Sequence, residues 1–329
     1  MSSRSLYSGL AGVGIGSGIA SYFWSKSNSS SNTKVTVPPP IVGGSDTPSG
    51  KLTPIGSNLN PAAFFQYGFP GPVHDLENRD EFISCYNRQT RNPYWVVEHI
   101  TPESLATRNS DRKNSVFKED EFIPDIFRGR LRDYFRSGYD RGHQAPAANA
   151  KFSQKAMDET FYLTNMCPQV GDGFNRDYWA HFEYFCRQLT EKFNSVRIVT
   201  GPLYLPKQDP LDGKSRVTYE VIGNPPSIAV PTHFFKLIVG EKPVKSPNSD
   251  NISVAAFVLP NTAIPNETKL TEFEVPVDAL ERSSGLKFFQ RVPSDKKKAL
   301  CKEVECKITV REFQKALPKP KQQSLLPPP

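Results

Sequence analysis

The sequence predicts one α+β domain with a central antiparallel β-sheet flanked by helices, and three observations predict it. Runs rich in Val, Ile and Phe recur through the middle of the chain, at 82–87, 94–100, 196–200, 229–239 and 253–259. Only 177–192 and 277–284 stand out as helical segments. The stretches on either side of this middle, 27–61 and 316–329, are dominated by Ser, Pro or Lys. Such stretches bury too little apolar surface to offset chain entropy.

The first two runs alternate in strand fashion around Arg91-Asn92-Pro93, which reads as a hairpin turn. Gly201-Pro202 marks a turn at the end of the third. In 177–192, Tyr178, Phe182, Phe185 and Leu189 form one apolar stripe at helical spacing. Asn175, Trp179 and Glu183 recur every four residues along the adjoining edge. That edge turns Trp179 toward the core and sets an amide and a carboxylate at the rim. The helix over 277–284 stops at Gly285, a natural C-terminal cap.

Composition narrows the class. The 329 residues include 37% hydrophobic side chains, enough for one large domain or two modest ones, and 30 prolines that imply many irregular segments. Lys and Arg number 41 against 34 Asp and Glu, an excess that suits a polyanionic partner without requiring one. Five cysteines without a Cys-x-x-Cys pair argue against a zinc site and a disulfide-stapled scaffold. Cys301 and Cys306 are read as free thiols, with a small disulfide as the alternative in an oxidising compartment. Lys296-Lys297-Lys298 is read as a solvated helix face.

Residues 1–26 differ from the rest. Arg4 and Lys26 bracket an uncharged, weakly apolar stretch, 6–24, whose length as a helix is roughly that of a bilayer core. No acidic residue precedes Asp46, which fits a mitochondrial import signal; a secretory signal is the rival reading. The expected organisation is a targeting or inner-membrane anchor segment at 1–26, a disordered linker at 27–61, the folded domain at 62–315 and a Pro/Lys-rich tail at 316–329.

Tyr139-Asp140-Arg141-Gly142-His143-Gln144, followed by Ala145-Pro146, is the most informative stretch. It sets a histidine beside a fixed cation, after a glycine that permits a sharp turn. Downstream come Asn165-Met166-Cys167-Pro168-Gln169 and the Asn175, Trp179, Glu183 edge. The ordered series fits phosphodiester hydrolysis with a single hard metal ion. That reaction must deprotonate a water, stabilise charge on the phosphoryl oxygens and neutralise the leaving 3′ oxygen. A neutral histidine, with an ordinary pKa of about 6.5, supplies the first. Mg²⁺, which favours oxygen ligands and retained waters, supplies the others, and arginine adds bidentate contact to phosphate. His143, Asn175, Arg141 and Arg108 would fill these roles, with Glu183 holding the water around the metal. Taken apart from the histidine, Asn175 as a helix cap and Glu183 as an exposed acid remain the alternative. His74, His99, His181 and His233 lack a supporting motif and are read as structural or exposed. Asp140 is read as an anchor for the local backbone.

The stretch 139–146 resembles the signature of the DNA/RNA non-specific endonucleases, a ββα-metal (His-Me finger) family, and most of all its mitochondrial members. The similarity runs from about residue 64 to about residue 310. It includes Thr200-Gly201-Pro202-Leu203-Tyr204, Pro231-Thr232-His233-Phe234-Phe235-Lys236 and Leu280-Glu281-Arg282-Ser283-Ser284-Gly285-Leu286. The resemblance implies a ββα-metal active-site motif with His143 as general base and Asn175 as the only direct protein ligand of Mg²⁺ (or Mn²⁺). Glu183 would orient the ion's water shell. Arg141 and Asn165 fall on active-site positions, and Arg108, in Thr107-Arg108-Asn109, matches the arginine that stabilises the transition state. It further implies cleavage of single- and double-stranded DNA and RNA to 5′-phosphate products, and a homodimer. The place would be the mitochondrial inner membrane or intermembrane space, and the roles nucleic-acid turnover and cell-death DNA degradation. The alternative is a catalytically weak, membrane-tethered nucleic-acid-binding or scaffold relative.

Overall fold

The computed structural model describes residues 61–68, 75–243 and 251–311. The expected targeting segment, the expected linker up to its last residue, the tail and His74 lie outside the described residues. Among the described residues, no helix is long and apolar enough to cross a membrane.

β1 (Asp75–Asn78), β2 (Phe82–Asn87) and β3 (Asn92–Ile100) are consecutive antiparallel neighbours. The expected β2–β3 hairpin closes with Arg91 in the left-handed region at φ 52°, where its N–H donates to the Asn87 carbonyl at 2.8 Å. β4 (Asp140–His143) and β5 (Met166–Gln169) form a separate antiparallel pair carrying the histidine motif. β6 (Ser195–Leu203) returns to lie against β3. Two short ladders follow, β7 (Lys207–Gln208) with β8 (Ser215–Arg216), and β9 (Val221–Ile222) with β10 (Ile228–Ala229). β11 (His233–Glu241) then pairs with β6, and β12 (Ile252–Pro260) with β11. β13 (Glu274–Val275) pairs antiparallel and β14 (Lys297–Ala299) parallel to β12. The main sheet therefore has eight strands in the order β1-β2-β3-β6-β11-β12-β13, with β14 beside β12.

Four expectations change. Gly201-Pro202 lies within β6 rather than in a turn, because both residues stay in register with Phe235 and Phe234 of β11. The run 229–239 is two strands, β10 and β11, because Pro231 has no N–H to give a ladder and its carbonyl accepts from Asn261 Nδ2 at 2.9 Å. Lys297 and Lys298 belong to a strand rather than a helix face, since the β12 backbone takes them into register with Ile252 and Ser253. Cys301 and Cys306 are disulfide-bonded rather than free. The helical turn Leu300–Glu303 brings their Cα atoms to 5.2 Å, within bridging range. Cys85, Cys167 and Cys186 are buried free thiols.

Alternation of side chains along the strands gives the sheet two covered faces. Val97, Val199, Leu237 and Ala256 lie in register across four strands and pack with Ala279 and Leu280 of helix α2 (Val277–Ser284). As expected, α2 ends at Gly285, which takes φ 74°. On the opposite face sits α1 (Tyr178–Gln188), the longer helix, whose Tyr178, Phe182 and Phe185 pack on Ile198, Phe234 and Phe257. Each such fully buried aromatic or aliphatic side chain contributes roughly 1.5–3 kcal/mol.

The face under α1 also holds polar groups. Glu98 of β3, Thr200 of β6 and Lys236 of β11 are all buried there. Lys236 Nζ donates to Thr200 Oγ1 at 2.8 Å and lies 4.7 Å from the Trp179 ring centroid. Glu98 Oε1 accepts from Asn149 Nδ2 at 2.7 Å. Glu81, just ahead of β2, is buried and acts on Glu98, and neither of its oxygens has a hydrogen-bond partner among the described residues. Burial first, and then Glu98, push the Glu81 carboxyl well above 4.5, which favours its protonated form.

The native chain thus holds a proton that the unfolded chain releases above about pH 4.5. The contribution of this group to stability is full below that pH and is lost progressively as pH rises. Glu81→Gln keeps a donor toward Glu98 without needing the proton. Its melting temperature should exceed that of the wild type near pH 8, with the difference vanishing toward pH 4.5. Melts across this range that show a constant difference would refute the shared proton.

Candidate active site

The two antiparallel strands β4 and β5, followed by α1, make a ββα unit. Arg141 and His143, two residues apart on β4, share one face. Gly142 between them is required by packing, because a Cβ there would lie 1.9 Å from Gln169 Oε1. The chain after His143 is clamped by Asn165. Its Oδ1 accepts from Ala145 N at 2.9 Å, and its Nδ2 donates to the carbonyls of Ala145 at 2.9 Å and Thr160 at 2.8 Å.

His143 sits in an aromatic box. Its ring centroid lies 4.9 Å from Phe161, edge to face, and 5.6 Å from Phe117. A guanidinium covers each of these rings: Arg141 lies 4.2 Å from the Phe117 centroid and Arg112 lies 5.3 Å from that of Phe161. Nε2 of His143 is buried and has no hydrogen-bond partner. Burial, and then the charges of Arg112 and Arg141, push the imidazole pKa down to about 3. His143 is therefore neutral throughout the physiological range, with Nε2 unpaired and its protonated form disfavoured by its surroundings.

Asn175 lies in the turn Gly171–Asn175, which depends on Gly173 at φ 77°, where a Cβ would meet Ala263 at 2.6 Å. It does not cap α1; that position belongs to Asp177. Asn175 Nδ2 instead donates to Asp140 Oδ2 at 2.9 Å. Asp140 also takes a two-pronged contact from Arg176, with Nε at 2.7 Å and Nη2 at 2.5 Å. Asp140 is thus an anchor for side chains more than for backbone, and by engaging the Asn175 amide nitrogen it leaves the carbonyl oxygen free to face a ligand. Among the described residues, no group of three His, Cys, Asp or Glu side chains gathers to cage a metal. One oriented amide oxygen fits a hard divalent ion that keeps most of its waters.

Glu183, half-buried on α1, connects this region to the base. Burial raises its carboxyl above the ordinary value, against the opposing charges of Lys236, Arg187 and Arg112. Arg112 thereby interacts with both Glu183 and His143. Arg112 and Arg141 flank His143, Glu183 interacts electrostatically with Arg112, and Asp140 ties Asn175 to the start of β4.

Arg108 sits apart from His143, and Asn165 lies beside it with its side chain turned to backbone. Arg108 is exposed in irregular chain before the site, where it acts on Lys151 rather than on His143. The arginine beside the histidine is Arg112, held by the 3-10 turn Arg112–Asn114 that Asp111 caps through Lys113 N at 2.9 Å. That cap was the available signal for it, since both arginines lie in one basic stretch without a longer motif. Asn165 is fully buried with its hydrogen bonds spent on backbone, so it positions the site and does not face a substrate. The other described histidines are structural: His99 bonds to Ser195 Oγ, His181 accepts from Arg311 N and His233 bonds to Thr232 Oγ1.

A profile of DNA/RNA non-specific endonucleases matches residues 60–295. The chain belongs to the DNA/RNA non-specific endonuclease family. It is 67% identical over 330 residues to the mitochondrial nuclease of Saccharomyces cerevisiae, spanning 100% of this chain and 99% of that protein. Endonuclease G of Homo sapiens is 41% identical over 227 residues, covering 69% of this chain and 73% of that one. A solved EndoG/EndoGI complex, described as revealing the mechanism of EndoG inhibition, matches at a TM-score of 0.68 and 46% identity, covering 72% of this chain and 94% of that chain. Endonucleases of this family are enzymes that depend on a metal ion.

The Asn165 clamp makes a separable prediction. Asn165→Ala leaves buried backbone groups unpaired, at about 1–3 kcal/mol each, so urea unfolding should show a clear loss of stability. Activity should fall while the midpoint of metal titration stays unchanged. Wild-type stability, or a shifted metal midpoint, would contradict a purely positioning role.

Proposed function

We propose that this chain is a divalent-metal-dependent, sugar-non-specific endonuclease of mitochondria that hydrolyses DNA and RNA to 5′-phosphate products with His143 as general base. The observation that carries this reading is the buried, neutral imidazole of His143 held between two aromatic rings and two guanidiniums. A base in that state can take the proton from a water as its oxygen attacks phosphorus and the bond to the 3′ oxygen breaks. Arg141 and Arg112 are fixed cations beside the base and would bind the phosphoryl oxygens as negative charge builds on them. Mg²⁺ or Mn²⁺, held by the Asn175 carbonyl oxygen, would supply charge neutralisation at the phosphoryl group and the leaving oxygen. Glu183 would order the water around that ion, and its interaction with Arg112 keeps the arginine directed at the centre.

The names of the relatives support mitochondria as the location, as does the lack of acidic residues ahead of Asp46. In this reading residues 62–315 are the nuclease and 1–26 direct it to mitochondria. Retention of 6–24 in the inner membrane and assembly as a homodimer belong to the same proposal.

His143→Ala should lower the rate of plasmid cleavage by about 10²–10⁴-fold while DNA binding persists in EDTA. Equal cleavage by variant and wild type would remove His143 as the base. Asn175→Ala should move the Mg²⁺ titration of activity to much higher concentration, and an unmoved curve would take Asn175 out of the metal site.

A further inference from the structure

Four basic side chains come together on the flank of α1, outside the group that surrounds His143. Arg187 lies one turn beyond Glu183 on the helix, and its Nη1 donates to Asn149 Oδ1 at 3.1 Å. Two residues after Asn149 comes Lys151, whose carbonyl accepts from Asn109 N at 2.8 Å and Ser110 Oγ at 3.0 Å. Those bonds hold the loop bearing Arg108 against Lys151. Arg311 closes the group from the other end of the chain. Its guanidinium lies 4.4 Å from the Tyr184 ring centroid, and that of Arg187 lies 5.7 Å from the same ring.

The segment that delivers Arg311 is built to stay there. It leaves the Cys301–Cys306 disulfide and buries Cys306 and Ile308 in the α1 core. It then runs along the helix, with Thr309 Oγ1 3.4 Å from Gln188 Oε1 and Arg311 N 3.4 Å from His181 Nδ1.

Glu183 and Glu98 are carboxyls that interact with this group, both through Arg187. Some exposed arginines elsewhere find carboxylates, as Arg176 does with Asp140, Arg216 with Asp212 and Arg282 with Asp278, while Arg132, Arg136 and Arg291 form no salt bridge with a described carboxylate. Arg108, Lys151, Arg187 and Arg311 form no salt bridge with a described carboxylate, although Arg108 and Arg311 are exposed. Burial, and then the three arginines, hold the Lys151 ammonium below the ordinary lysine range. Like charges collected this way repel and destabilise the fold, a cost that a polyanionic ligand would offset.

We propose that Arg108, Lys151, Arg187 and Arg311 form a phosphate-binding track that takes the nucleic-acid backbone where it leaves the catalytic centre. The proposal rests on the nuclease reading for the identity of the polyanion. The track begins next to Glu183, so a strand whose scissile phosphate lies at Arg112 and Arg141 continues directly onto it. It reads charge alone and carries no base information, in keeping with non-specific recognition. Arg108 has its function here, on the bound backbone rather than at the transition state.

The test compares wild type with Lys151→Gln/Arg311→Gln, using a duplex long enough to reach the track. Binding is measured in EDTA, without cleavage, over a series of salt concentrations. Loss of two phosphate contacts should lower the slope of log Kd against log salt by about 2 and weaken binding roughly tenfold at moderate salt. Arg311→Lys, which keeps the charge, should retain the wild-type slope. An unchanged slope in the double variant would overturn the track. So would a slope that falls as far in Arg311→Lys as in Arg311→Gln, because packing of the segment would then be the cause. Since the slope is read without cleavage, a wild-type protein that binds duplex but fails to cut counts against the nuclease reading alone.

Discussion

The hydrogen bond from Asn149 Nδ2 to the buried carboxyl of Glu98 ties together the parts on which the site depends. Glu98 belongs to β3 inside the sheet, Asn149 to the turn that follows His143, and Arg187, which donates to Asn149, to the helix that bears Glu183. Sheet, histidine loop and helix are thus fixed by one chain of polar contacts in a dry environment. Such contacts are strong because the surrounding dielectric is low, and leaving one unpaired is costly for the same reason. The proton held on Glu81 and the Lys236–Thr200 bond belong to this arrangement, since they limit the net charge sealed under α1.

Above this base the site separates two electrostatic tasks. A general base has to be neutral, whereas phosphate binding needs cations close by. The aromatic box reconciles them: Phe117 and Phe161 exclude water from the imidazole and give the guanidiniums of Arg141 and Arg112 a surface to lie on. Burial and cationic neighbours act in the same direction on His143, both disfavouring its protonated form. On the other side of β4, Asp140 divides its oxygens between Arg176 and the amide of Asn175, and so sets which end of that amide is presented. In the proposed mechanism the base and the metal-facing oxygen are both held by one four-residue strand.

Much of this was legible from the linear chain because it rests on local rules. The hairpin at β2–β3, the apolar stripe of α1 and the Gly285 stop of α2 follow from spacing and from residue types that adopt few conformations. The 139–146 stretch was distinctive because Gly142 has no alternative under Gln169. What failed depended on distant partners. Pro231 split a run that looked continuous, and Lys297 was drawn into a strand by the free edge of β12. The way Asn165 acts was not legible, because its amide meets backbone groups that only the folded turn brings near.

The arginines show where the division lies. Sequence alone determined the family signature, the order of His143, Asn175 and Glu183, and the α+β class, because short motifs and periodicity encode these directly. It pointed to Arg108 and passed over Arg112, four residues further on. Tertiary structure decided that Arg112 lies over Phe161 near the base and that Arg108 joins Lys151. The physical reason is that a long, flexible cation takes its role from the rings and charges it meets, and those arrive from segments tens of residues away.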